Sequence, residues 1–255
     1  MRYGLIGEKL GHSYSKIIHE KLADYKYDLI PLKRDQLDNF MVKKDFTAIN
    51  VTIPYKEDVI PYLDELNPLA KEIGAVNTIV NNNGYLRGYN TDFYGLKYLI
   101  ENNDIETEGK KGLVLGSGGT SKTARAVLKD LGAANIITVS RRKSEDTITY
   151  EEVYEKHTDG EIIVNTTPVG MYPNEDTSPL DLTSFSKCTG VVDAIFNPLR
   201  TELVKQGLEL GIKSVTGLEM LVAQAKRAVE YFLDVSIPDS RIQEVYGEVL
   251  EMINH

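Results

Sequence analysis

The run GLVLGSGGTSKTARAVLKDLGA, residues 112–133, constrains this 255-residue chain more than any other stretch. Gly112–Gly116 is a short apolar segment bounded by glycines, which reads as a buried strand. Beyond the glycines, Ala124, Val127, Leu128 and Leu131 recur at i, i+3, i+4 and i+7, one face of an amphipathic helix, and Gly132 supplies a stop signal. A strand, a glycine loop and a helix in that order form the phosphate-binding turn of a dinucleotide site. Gly116 would permit the tight turn, Gly118 the close approach of backbone to a pyrophosphate, and the helix N-terminal N–H groups would hold the phosphates. The strict G-x-G-x-x-G spacing fails at Ser121, still a small residue. The plain alternative is an ordinary strand-to-helix turn.

The next strand, Asn135–Ser140, bears on which dinucleotide. A carboxylate about 20 residues past the glycines would hold a ribose 2′-hydroxyl. This strand instead ends Ser140-Arg141-Arg142, 21 residues after Gly119 by the numbering. Two guanidinium groups and a hydroxyl suit a 2′-phosphate, so the spacing favours NADP over NAD.

Further strands are expected at Glu161–Thr167, Gly190–Phe196 and Lys213–Gly217. Before residue 100, strands are expected at Tyr3–Gly7, Tyr27–Leu32 and Phe46–Pro54, with helix faces marked by Ile18, Leu22 and Tyr25 and by Leu37, Phe40 and Met41. Asn83-Gly84 between two apolar runs predicts a hairpin, and Asp92 opens a helix with core face Phe93, Leu96, Leu99 and Ile100. Strands alternating with helices imply α/β architecture with mainly parallel sheets. The polar stretch Glu101–Gly112 marks a boundary. Residues 1–103 and 218–255 are expected to form a substrate-binding domain, and 104–217 a Rossmann-type domain.

A net charge of −9 argues against a nucleic-acid footprint, and any anionic ligand would need local cations or backbone donors. The single Cys188 excludes an internal disulfide, four scattered His give no metal spacing, and no apolar run has membrane length or signal-peptide character. A cytoplasmic protein with a small-molecule substrate is expected, as monomer or homodimer, without nucleic-acid, membrane or metal partners.

Hydride transfer to a ketone builds up an alkoxide that needs a proton donor or a cation. Lys56, in NVTIPYK after a strand with Val51 and Ile53 on one face and Asn50 and Thr52 on the other, is one candidate. Asp92 in YNTDF is the second, although its place at a helix start equally suits an N-cap. Ser13 and Ser15 stand two apart after the first strand and can converge on a carboxylate, or cap a helix. His12 and His19 have no partner pair and read as structural.

The ordered set GHSYS, NVTIPYK, GAVNT, YNTD, GSGG, NTTPVGM and GLEMLVAQA, from residue 11 to about residue 225, resembles the shikimate dehydrogenases of aromatic amino-acid biosynthesis. The resemblance implies an α/β substrate domain, a Rossmann NADP domain and C-terminal helices returning to the first. It also implies reversible NADPH-dependent reduction of 3-dehydroshikimate to shikimate without a metal. Lys56 and Asp92 would then be the catalytic pair, and Ser13, Ser15, Thr52, Asn77 and Gln224 substrate contacts, with Asn50 in the same motif. Gly116, Ser117, Gly118, Gly119, Thr120, Ser140, Arg141, Arg142, Thr166, Met171, Gly217 and Met220 would serve the cofactor. Three positions depart from the family pattern: Lys16 for a common Pro, Ser140-Arg141-Arg142 for Asn-Arg-Thr, and Phe196 for a Tyr. The alternatives are a quinate/shikimate dehydrogenase of relaxed specificity and a non-catalytic nucleotide-binding protein on the same fold.

Overall fold

The protein is described by a computed structural model covering residues 2–11 and 13–254. In chain order the first part comprises β1 (Tyr3–Gly7), α1 (Ser15–Leu22), β2 (Tyr27–Pro31), α2 (Leu37–Lys43), β3 (Ala48–Val51), β4 (Glu65–Leu66), α3 (Pro68–Ile73), β5 (Thr78–Asn82), β6 (Tyr85–Tyr89) and α4 (Asp92–Asn102). There follow β7 (Lys111–Leu115), α5 (Gly119–Asp130), β8 (Asn135–Val139), α6 (Tyr150–Lys156), β9 (Ile162–Asn165), β10 (Gly190–Asp193), α7 (Glu202–Glu209), β11 (Lys213–Thr216), α8 (Leu218–Leu233) and α9 (Ser240–Asn254). The chain forms two compact units, Met1–Gly95 with Val222–His255, and Leu96–Leu221.

The first unit is built on a sheet of order β2-β1-β3-β5-β6-β4. β1 pairs in parallel with β2 and β3, and β4 with β6, so β5 alone is reversed. The reversal is made by the expected hairpin, where Asn83 and Gly84 take φ of 54° and 93° as a type I′ turn requires. Both faces are covered. Ile6, Ile49, Val51 and Ile79 pack with Leu37 and Met41 of α2 and Ala70 of α3. Tyr3, Leu5, Tyr27, Ala48 and Tyr89 pack with Ala228 and Phe232 of α8, so a C-terminal helix does return to this sheet.

Two local expectations change. β3 stops at Val51: Thr52 N–H makes a last bond to Ile6 O of β1, and a turn then closes from Tyr55 N–H to Thr52 O. The alternation therefore breaks there: Val51 is 2% exposed but Ile53 is 65% exposed. Lys56 lies in the turn region rather than at a strand end. α1 ends at Leu22 with Ala23 extended, and Tyr25 leaves the helix to stack on Tyr3 at 4.4 Å.

The second unit holds a five-stranded parallel sheet of order β11-β10-β9-β7-β8. A parallel bridge between Val139 and Ile148 adds one rung outside β8. Strand order reverses between β7 and β9, the switch point where doubly wound folds bind ligands at the carboxyl ends of the strands. Among the described residues no helix is long and apolar enough to cross a membrane, and no group of three or more His, Cys, Asp or Glu could hold a metal ion.

Candidate active site

Strand directions in the first unit decide where its chemistry gathers. β1, β3 and β6 run the same way and β5 the other way. The segments after β1, β3 and β6, and the residue before β5, therefore share one edge of the sheet. Ser13 and Ser15 follow β1, Thr52 and Lys56 follow β3, Asn77 precedes β5, and Asp92 follows β6. Gly7 lets the first two segments close up, since a Cβ there would lie 2.5 Å from Thr52 Cγ2 and 2.9 Å from Leu10 Cδ2.

Lys56 and Asp92 meet. Lys56 Nζ donates to Asp92 Oδ2 at 2.6 Å across 36 residues of chain, with side chains 13% and 9% exposed. The cap that Asp92 could have supplied comes from Asn90, whose Oδ1 accepts Phe93 N–H at 3.0 Å. This leaves the Asp92 carboxylate for the site.

Asn77 fixes its other oxygen. Asn77 Oδ1 accepts the backbone N–H of Thr91 at 2.6 Å, a donor that permits no flipped amide. Asn77 Nδ2 must then face Asp92 Oδ1 at 3.0 Å, and it also reaches Thr91 Oγ1 at 2.9 Å and Gln224 Oε1 at 3.3 Å. Gln224, on α8, thus joins the group from the far end of the chain. Burial makes each of these bonds consequential, because an unmet amide here would forfeit its water without replacement.

The remaining expected residues are placed as follows. Ser15 is buried at the start of α1 and its N–H donates to Ser13 Oγ at 3.3 Å. Thr52 is half-buried beside Gly7. Asn50 is 4% exposed and has both amide ends engaged: Oδ1 takes Tyr27 OH at 2.7 Å, while Nδ2 reaches Asn77 O at 3.2 Å and Thr78 Oγ1 at 3.0 Å. It stands behind Asn77 rather than beside Thr52 on an open wall. His19 is buried among Tyr25, Tyr27 and Phe232, and His12 lies outside the described residues. Lys16, at the family's proline position, bonds Tyr27 O at 2.9 Å and Glu20 Oε1 at 2.6 Å, and that Glu20 oxygen accepts Tyr27 N–H at 3.0 Å.

In the second unit the glycine loop fits a pyrophosphate. Gly116 has φ of +113°, and a Cβ on it would lie 2.6 Å from Thr166 Oγ1, which itself donates to Leu115 O at 2.6 Å. Gly118 is the N-cap of α5, and a Cβ there would meet nothing within 4 Å. Its open face adjoins the first-turn N–H groups of the twelve-residue α5, with Ser117, Gly119 and Thr120 alongside, an arrangement that could receive an anion. Ser140 follows β8, bonded through its hydroxyl to Thr147 at 3.2 Å and to Arg142 O. Arg141 and Arg142 are exposed and make no ion pair among the described residues, which leaves their guanidinium groups accessible to an anion. Gly217 follows β11, where a Cβ would lie 2.2 Å from Ala194 O; Met220 is buried on α8, and Met171 is 43% exposed after β9.

Sequence reasoning missed the polar groups behind both edges. Thr78, Thr91 and Asn90 carry no motif beyond their neighbours Asn77 and Asp92. Asp193, at the end of β10, is fully buried with no cation. It accepts Asn165 Nδ2 at 3.0 Å, Ile195 N–H at 3.0 Å and Thr201 Oγ1 at 2.7 Å, and burial pushes its carboxyl up to about 6. Its hydrogen bonds join the last residue of β9 to the segment that follows β10.

Residues 5–79 match the shikimate dehydrogenase substrate binding domain. The Clostridium beijerinckii protein named shikimate dehydrogenase (NADP(+)) is 38% identical over 262 residues, 96% of each chain. The crystal structure of shikimate dehydrogenase 1 from Peptoclostridium difficile superposes with a TM-score of 0.90 at 36% identity over 98% of both chains. Shikimate 5-dehydrogenase from Thermus thermophilus, solved in complex with NADP(H) and shikimate, gives 0.86 at 27% identity over 97% of this chain and 99% of that one. With such identity along nearly its whole length, and a buried lysine–aspartate pair where the resemblance put one, this chain belongs to the shikimate dehydrogenase family.

Proposed function

We propose that the protein interconverts 3-dehydroshikimate and shikimate with NADP(H), using Lys56 as the acid–base group and Asp92 as its orienting partner. The observation that carries this reading is the 2.6 Å contact between Lys56 Nζ and Asp92 Oδ2, held on its far side by Asn77. When bound, the reduced nicotinamide supplies the hydride. Lys56 Nζ, an ammonium with three donors, gives a proton to the substrate oxygen as charge develops there, and takes it back in the oxidative direction. Asp92 keeps Nζ in one place and offers an acceptor to a neighbouring substrate hydroxyl. Thr52, Asn77 and Gln224 complete the polar wall, and Ser13 and Ser15 bind the substrate carboxylate through hydroxyl donors. Gly116 to Thr120 would hold the pyrophosphate, Ser140, Arg141 and Arg142 the 2′-phosphate, and Thr166, Met171, Gly217 and Met220 the nicotinamide half.

The test is the purified protein with shikimate or quinate, each with NADP or NAD, followed by absorbance of the reduced cofactor. Shikimate with NADP should be the fastest pair. Lys56→Ala should lower kcat about 10²- to 10⁴-fold, with limited change in KM for shikimate. A silent shikimate/NADP pair, or a near-normal Lys56→Ala rate, refutes the assignment.

A further inference from the structure

The polar network behind Asp92 continues past Asn77 to a buried phenol. Thr78 Oγ1 lies 3.1 Å from Asn77 Oδ1 and 3.0 Å from Thr91 Oγ1, and accepts Asn50 Nδ2 at 3.0 Å. Asn50 Oδ1 in turn accepts Tyr27 OH at 2.7 Å. We propose that Tyr27 is a positioning residue for the reaction, its hydroxyl setting the Asn50 amide and, through Thr78 and Asn77, the Asp92 carboxylate that holds Lys56. This inference rests on the function proposed above.

Direction is fixed from Tyr27 as far as Thr78. Asn50 Nδ2 reaches the backbone carbonyl of Asn77 at 3.2 Å, and a carbonyl can only accept, so the Asn50 amide has one orientation and Tyr27 OH must donate. Asn50 Nδ2 donates to Thr78, which leaves the Thr78 proton for Asn77 Oδ1 or Thr91. Asn77 Oδ1 collects donors, which turns Nδ2 toward Asp92. Asn50 and Thr78 are 4% and 0% exposed, so water cannot replace a missing partner.

Tyr27 itself is held from three sides. Its backbone N–H and C=O are taken by Glu20 and Lys16, both on α1. Its ring stacks on His19 at 4.0 Å and 11°. Any buried tyrosine hydroxyl needs an acceptor; here that acceptor is an amide whose other end reaches Asn77 O and Thr78 Oγ1.

Tyr27→Phe keeps the ring and removes the donor. With wild-type activity on shikimate and NADP established first, kcat should fall roughly tenfold while KM for NADP stays unchanged. Tyr25→Phe deletes a neighbouring hydroxyl bonded at 2.7 Å to His19, outside the route to Asn50. It should lower thermal stability and leave kcat alone. In an Asn50→Ala background, Tyr27→Phe should have no further effect on kcat. Thr78→Val, of nearly equal shape, cuts the same route and should repeat the kcat loss even if Tyr27→Phe does not fold. Wild-type kcat in Tyr27→Phe or Thr78→Val, an equal kcat loss in Tyr25→Phe, or full additivity with Asn50→Ala overturns the proposal. An inactive wild type would refute the proposed function instead.

Discussion

Taking the protein from about pH 7.5 to about pH 5 should remove about 2 kcal/mol of stability through His19 alone. The ring is fully buried, stacked 4.0 Å from Tyr27 and 5.7 Å from Phe232, with Nδ1 on Tyr25 OH at 2.7 Å and Nε2 without a hydrogen-bond partner among the described residues. An imidazolium there would be a charge taken out of water with no carboxylate beside it among the described residues, and burial lowers the pKa from 6.5 to about 3. The folded value lies below the unfolded one, so the folded state excludes a proton that the unfolded chain binds. Stability is therefore whole above pH 6.5 and falls as the pH drops toward 3. The slope is about 1.4 kcal/mol per pH unit, and about pH 5 lies roughly 1.5 units down it.

Asp193 acts in the opposite sense. Its carboxyl is raised from 3.8 to about 6 by burial, so its protonated form favours the folded state as pH falls through 6. That returns about 1.4 kcal/mol by about pH 5. The wild-type curve alone thus conceals both effects, and comparison with His19→Gln isolates one. Urea unfolding followed by far-ultraviolet circular dichroism, on both proteins at both pH values, should show the wild type losing about 2 kcal/mol relative to the variant on acidification. An offset between the two proteins that stays constant within about 0.5 kcal/mol would refute the buried neutral imidazole, because linkage permits no other outcome for such a pKa difference.

Three further outcomes test the site. Gly118→Ala has φ of −90° and open space around the new Cβ; it should raise the melting temperature slightly yet increase KM for NADP several-fold, measured by steady-state kinetics. Asn77→Asp keeps the shape but sets a second carboxylate about 3 Å from Asp92 Oδ1; kcat should fall at least about a hundredfold, with Tm lowered in calorimetry. Arg141→Gln with Arg142→Gln should raise KM for NADP about tenfold or more and leave KM for NAD nearly unchanged, and equal effects on both cofactors would remove the 2′-phosphate assignment.

Much of this molecule was legible wherever periodicity or a turn residue carried the signal. The Gly116–Gly119 loop, the Asn83-Gly84 hairpin and the five strands of the second sheet are local features, decided by residues a few positions apart. The exposed Ile53 was not legible, because the turn bond from Tyr55 to Thr52 ends the strand before its pattern ends. Nor was the role of Asn50. It depends on Tyr27 reaching across from β2 to β3 past the intervening β1, a strand order no single segment encodes. Asp92 shows the same limit: the cap reading was reasonable for its position, and only the competing Asn90 freed it.

The two sets of functional residues are built on opposite physical lines, and the chemistry explains the contrast. Around Lys56 and Asp92 the polar groups are buried and cross-bonded through Asn77, Thr91, Thr78 and Gln224, so the donor and its partner are fixed before a substrate arrives and little reorganises as charge moves. The residues offered to the cofactor are backbone N–H groups at a helix start and two exposed arginines without ion-pair partners among the described residues. Those groups need reach and charge more than fixed geometry, since in a chain of net charge −9 a polyanionic nucleotide is repelled by the global field. In the proposed site, a local cationic turn at the end of β8 and oriented dipoles at α5 would oppose that repulsion where the phosphates are assigned. On the proposed assignment, rigidity is therefore concentrated at the Lys56–Asp92 pair, and exposed cationic charge at the turn assigned to the 2′-phosphate.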